Sequence, residues 1–143
     1  MSAAIRRWCA TAAIAVMTIL AAACGGGGGA GDTGLKEVQR VKSGDLDIVL
    51  LSDDGVLNQG KESFVIEFRR ADGSLADAGQ VTTSATMSMP GMTMPAGVVV
   101  EPSGVAGRYR ATGDFGMAGS WPIKIDWNGP VGQGSVSFDG SVQ

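Results

Sequence analysis

The 143-residue chain has no histidine, only two cysteines, Cys9 and Cys24, and a single tyrosine. Without imidazole, Ser-His and Cys-His catalysis and the common imidazole metal sites are excluded. Cys9 falls in an N-terminal stretch that reads as a removable signal, and Cys24 stands at its end. The mature chain then has no disulfide and no free thiolate to serve as ligand or nucleophile. No carboxylates pair at a spacing that suggests acid–base chemistry, so no catalytic residue and no enzymatic activity are expected. Removing Arg6 and Arg7 from the 11 basic residues leaves nine against 14 acidic ones, a net charge of −5. There is no basic patch, and nucleic acid is not an expected partner. No amphipathic helix follows the signal.

Residues 1–23 have the parts of a secretory signal: Arg6 and Arg7, then an apolar run from Ala10 to Leu20. That run is too short and too rich in alanine for a membrane span. Leu20-Ala21-Ala22-Ala23-Cys24-Gly25 resembles a bacterial lipobox, in which Cys24 becomes the first mature residue and carries lipid. The alternative is ordinary cleavage after Ala-x-Ala, leaving Cys24 as a free thiol. A lone exposed cysteine is a liability in an oxidising compartment, which favours lipidation. Stable anchoring takes two acyl chains or more. Gly25 to Gly34, interrupted by Ala30, Asp32 and Thr33, reads as a flexible tether with an r.m.s. reach of ~18 Å. The expected organisation is a signal peptide at 1–23, a lipidated cysteine and glycine-rich linker at 24–44, and one domain at 45–143. The expected location is extracytoplasmic, anchored to a bacterial membrane in the cell envelope.

From Leu46 onward strands alternate with turns. Leu46 to Leu51 ends at Ser52-Asp53-Asp54-Gly55. Ser63 to Arg69 places Phe64, Ile66 and Phe68 on one face and Val65, Glu67 and Arg69 on the other. Gln80 to Thr86, Val98 to Glu101, Gly107 to Thr112, Trp121 to Trp127 and Ser135 to Asp139 complete seven short strands. With 23 glycines in the chain, the pattern predicts an all-β, Ig-like β-sandwich without the Ig disulfide. The predicted core is Ile48, Leu50, Phe64, Ile66, Phe68, Tyr109, Ile123, Ile125, Val136 and Phe138. Asp114 reads as a turn residue in a loop from Gly113 to Gly116.

Of the five methionines beyond Met1 and Met17, four fall in Thr86-Met87-Ser88-Met89-Pro90-Gly91-Met92-Thr93-Met94-Pro95. Pro90-Gly91 suits the centre of a type II turn. With extended arms, Met89 faces Met92 and Met87 faces Met94. All four thioethers then project from one side, with Ser88 and Thr93 on the other. Because type II turns splay hairpin strands, an open loop and a true hairpin both remain open. Thioethers are soft, uncharged ligands suited to Cu(I). The bland alternative is flexible core filler or an apolar rim, although a core seldom alternates Met with Ser and Thr beside two prolines.

Met87-x-Met89-Pro90-x-Met92, then Gly107-Arg108-Tyr109, then Phe115-Gly116-Met117-Ala118-Gly119-x-Trp121 resemble, in that order, the YtkA-like/FixH-like domain family. The resemblance runs from about Asp45 to Asp139. It implies an Ig-like fold, an extracytoplasmic location and a link to copper handling, near haem-copper oxidase assembly or beside metal efflux systems. Family members often carry a histidine near the methionine loop. This chain has none, which leaves Cu(I), or its mimic Ag(I), as the metal implied. Met117 would add a fifth thioether, and Trp121 would cover the ion by a cation–π contact; plain packing between sheets is the alternative for both. The expected function is Cu(I) binding or delivery to a copper-receiving or efflux membrane protein. Two other readings are an interaction module docking a membrane protein through the methionine loop, and a sink for oxidants.

Overall fold

The structure is a computed structural model that describes residues 34–143. The signal segment, Cys24 and all but the last residue of the tether lie outside the described residues. Nine strands form, and among the described residues there is no helix: β1 (Lys36–Ser43), β2 (Leu46–Ser52), β3 (Gly60–Arg70), β4 (Gln80–Met89), β5 (Met92–Pro95), β6 (Val99–Pro102), β7 (Arg108–Phe115), β8 (Gly119–Gly129) and β9 (Gly132–Val142). They make two antiparallel sheets, ordered β1-β2-β3-β7-β6 and β5-β4-β8-β9. Contacts of β1 with β9 and of β4 with β6 close the sandwich along its two sides.

All seven expected strands are present, most of them longer at one or both ends. Two strands are additional. β5 is the return arm of the methionine stretch. β1 occupies residues 36–43, inside the stretch expected to be linker, so the folded domain begins well before residue 45. Val38 and Val41 are three residues apart and break the alternation that marks a strand. The break is a bulge between Glu37 and Gln39, where the pairing with β2 shifts. One residue is inserted there, and both valines pack against the core. β7 also runs further than expected, through Phe115. Asp114 is therefore a strand residue paired with Lys61, and the loop before Met117 shrinks to Gly116.

All ten residues predicted for the core are buried, and Leu57, Phe115, Trp121, Trp127 and Val142 join them. Phe68 meets both Tyr109 and Trp127 edge-on, at ring-centroid distances of 5.7 and 5.3 Å, an arrangement that suits ring quadrupoles. The Tyr109 hydroxyl donates to the Gly79 carbonyl at 2.9 Å, tying the first sheet to the start of β4. Burial of that hydroxyl raises its pKa above the ordinary tyrosine value.

The outer face of the five-stranded sheet is less simple than strict alternation implies. Val49, Leu51 and Val65 point outward yet are buried, with Leu35 against them. Beside them Glu67 is 1% exposed and pairs with the guanidinium groups of Arg69 and Arg108. The hydrogen bonds from Arg69 Nε and Arg108 Nε are 2.6 and 2.8 Å. A carboxylate so deeply buried is tolerable only when its oxygens are occupied by charged donors. Glu67→Ala leaves two arginines facing each other across a void and should destabilise the domain by about 3 kcal/mol or more. Glu37→Ala removes an exposed pair with Arg40 and should change stability by less than about 0.5 kcal/mol. Urea denaturation of the two variants checks the contrast.

Candidate metal centre

β4 leaves its neighbour halfway. It pairs with β8 from Gln80↔Asn128 to Ala85↔Ile123, and from there with β5, as Thr86↔Pro95, Met87↔Met94, Ser88↔Thr93 and Met89↔Met92. The methionine stretch is thus a true hairpin with a two-residue turn. Pro90 fixes its own φ, and Gly91 sits at φ 78°, the conformation the third position of a type II turn requires. The return is locked by two backbone bonds: Ala96 N–H to Ala85 O at 2.9 Å, and Asp114 N–H to Ala96 O at 2.7 Å.

The register puts all four thioethers on one face, which also carries the buried Ala85, with Ser88 and Thr93 exposed on the other. Burial along the hairpin is graded. Met87 is 6% exposed, Met89 and Met94 are half-buried, and Met92 at the turn is 57% exposed. The two alternatives left by the sequence therefore divide between residues. Met87 is a core residue by burial, and Met92 contributes almost nothing to the core.

Met117 lies in the short segment between β7 and β8, half-buried against the core. The glycines on either side of it explain how this segment approaches the hairpin. A Cβ on Gly116 would lie 3.4 Å from the Met94 methyl, and one on Gly119 only 2.7 Å from the Met87 methyl. Gly119 also has φ 140°, which disfavours any other residue. The Gly116 carbonyl accepts a hydrogen bond from Gln59 Nε2 at 3.0 Å. The structure thus brings the Met117 segment against both arms of the hairpin. The two glycines were present in the sequence motif, but their role depends on contacts with Met94 and Met87, 22 and 32 positions earlier in the chain.

Trp121 is fully buried. It packs edge-on against Phe115, with centroids 5.4 Å apart, and its indole N–H donates to the Met117 carbonyl at 2.9 Å. The contact it makes with the site is this hydrogen bond, which fixes the backbone that carries Met117. Phe115 and Trp121 belong to the same core cluster as Met87, and Met89, Met94 and Met117 pack against that cluster. Among the described residues no three His, Cys, Asp or Glu side chains gather in a metal-binding arrangement. Any soft metal ion at this end of the molecule would depend on thioethers.

A model of the family described as YtkA-like matches residues 40–126. The match begins within β1, contains the whole hairpin and the Met117 segment, and ends on β8. No curated protein matches the chain.

The burial gradient makes a quantitative prediction. Met87→Ala should destabilise the fold by about 2–5 kcal/mol, as a cavity-forming change in a core does. Met92→Ala should fall within about 0.5 kcal/mol of the parent. Chemical denaturation measures both; equal effects would mean that the hairpin packs differently.

Proposed function

The chain belongs to the YtkA-like family, and from that premise we propose that it is an envelope-anchored protein that binds Cu(I) through its methionine hairpin and passes it on, with no reaction of its own. The observation that carries this reading is the register of the hairpin. Met87, Met89, Met92 and Met94 share one face, and Met117 is carried by a segment packed against two of them. A cluster of neutral sulfur donors without imidazole or thiolate suits a soft monovalent ion and disfavours Zn(II) and Cu(II). Met89, Met92 and Met94, partly or largely exposed, are the accessible donors, with Met117 beside them. Met87 supports them from the core.

One observation favours a second reading. Met92 and Val99 are the large apolar residues with high exposure among those described, and both lie on the same edge of the sandwich. That edge would also suit an apolar docking surface. Oxidation of exposed methionine to sulfoxide is a third use of the same residues. Metal titration separates the first reading from the other two.

The domain should bind Cu(I) or Ag(I) and show little affinity for Zn(II) or Cu(II). Binding should be nearly independent of pH across the neutral range, since a thioether has no proton to lose. Peroxide treatment should abolish it by converting the soft donor to sulfoxide. Replacing Met89 and Met92 together with Leu should remove most of the affinity and leave stability within about 1.5 kcal/mol. A competition titration against a Cu(I)-selective chelator, under reducing and anaerobic conditions, decides the matter. If parent and double variant withdraw equally little copper, the hairpin is packing or a docking surface.

Anchoring has its own test. Cys24→Ala should shift the protein from the membrane fraction to the soluble one. Unchanged membrane association would rule out the lipid as the anchor.

A further inference from the structure

Strand direction decides where the methionine hairpin sits relative to the start of the domain. β1 begins at Lys36, paired with Ser52 at the end of β2, and β3 begins at Gly60, paired with Phe115 at the end of β7. A chain of contacts joins these points across one end of the sandwich. Gly55 lies against Lys36, with a Cβ there only 3.2 Å from the Lys36 Cβ. Gln59 bonds the Gly116 carbonyl, and Gly116 lies against Met94. The chain therefore enters the domain at the end that carries the hairpin. The other end is made by the turns after β1, β3 and β8, which begin at Gly44, Ala71 and Pro130.

We propose that the methionine hairpin is presented to the membrane that anchors the protein, and that its partner is an integral protein of that same membrane. The inference rests on the lipid anchor at Cys24 proposed above. Lengths decide the orientation. The glycine-rich stretch between Cys24 and Leu35 has an expected reach of ~18 Å. The 11 residues of β8 span about 33 Å along the sandwich. For the Ala71 end to lie nearer the bilayer, the tether would have to run back along the sandwich stretched to nearly twice its r.m.s. reach, close to its full contour length, at a large cost in chain entropy. The hairpin itself is uncharged, although Lys36, Asp53, Asp54, Lys61 and Asp114 lie at the same end of the sandwich. Between Gln80 and Val100 there is no Asp, Glu, Lys or Arg, so the hairpin approaches an apolar or crowded surface without stripping water from an ion. A soft ion held at Met92 would then be exchanged with donors of a protein that cannot leave the membrane plane.

The test uses the full-length lipidated protein in phospholipid vesicles. Once Cys24 is acylated, a cysteine introduced at an exposed site is the only free thiol in the mature chain. Thr93→Cys, on the side of the hairpin away from the thioethers, and Ala71→Cys, at the opposite end, are each labelled with a fluorescent donor. The vesicles carry an acceptor on the lipid headgroups. The Thr93→Cys label should lose most of its emission and the Ala71→Cys label little. Adding Cys24→Ala to either variant should abolish both vesicle binding and transfer. Equal transfer, or stronger transfer at position 71, in vesicle-bound protein overturns the orientation and leaves the anchor standing. Failure of the acylation-competent protein to bind vesicles overturns the anchor and the orientation with it. Quenching of the position 93 label by a nitroxide deep in the acyl chains would make the bilayer itself the surface bound and overturn the embedded partner.

Discussion

The backbone of Ala96 is hydrogen-bonded to both sheets at once: its N–H to Ala85 at the point where β4 leaves β8, and its carbonyl to the Asp114 N–H on β7. This double bond to the framework governs the site. It fixes where the chain returns from the hairpin, so it fixes the length of the overhang and the register of the thioethers. The crossing is tight at Gly113, where a Cβ would lie 3.2 Å from both Val98 and the Phe115 ring. Unlike a free loop, a hairpin clamped at its base can hold soft ligands at a defined spacing while its tip stays in solvent.

The graded burial follows from the same overhang. Close to the clamp, Met87 is surrounded by sandwich, touching Gly119 and the core. Opposite Met87, on the edge strand β5, Met94 is half-buried, and two residues further out on β4 Met89 is half-buried as well. Met92, paired with Met89 at the turn, is 57% exposed. Ligation and packing are therefore different positions of one hairpin, graded from the base of β4 to the tip and the edge strand β5, rather than rival explanations of one motif. Methionine suits such a gradient because the same unbranched thioether packs adaptably in a core and donates sulfur where it is exposed.

Much of the fold was legible because the core obeys simple alternation. Phe64, Ile66 and Phe68 on β3, and Ile123 and Ile125 on β8, bury the faces their spacing predicts. β1 was not legible because its two valines are brought to one face by a bulge, and a bulge is decided by the partner strand. The facing of Met87 with Met94 was readable from Pro90-Gly91. Whether the arms would pair was not, since a type II turn permits either outcome and the choice rests on Ala96. The burial of Glu67 was hidden for a related reason. Its place on an outward face was clear, but the arginine that completes its pair lies 41 residues away, on a strand whose neighbour is set by topology. The entry of the chain beside the hairpin depends on strand order alone, which no local pattern encodes.

On the copper reading, the absence of histidine and thiolate does more than choose the metal. A site of neutral thioethers leaves the charge of a monovalent ion uncompensated, and the hairpin supplies no carboxylate to balance it. In a closed apolar core that charge would be prohibitively expensive to bury. At the rim, with Met92 in water and Met89 and Met94 half-covered, the ion keeps part of its solvation. Such a site holds its ion less tightly than a thiolate site would. It also releases the ion without moving a proton, because none of its ligands is basic. An incoming donor from a partner can replace Met92 first, since that side chain has the fewest contacts to break, and then the half-buried pair behind it. The gradient from Met92 inward is therefore an ordered path for ligand exchange. That arrangement suits a carrier.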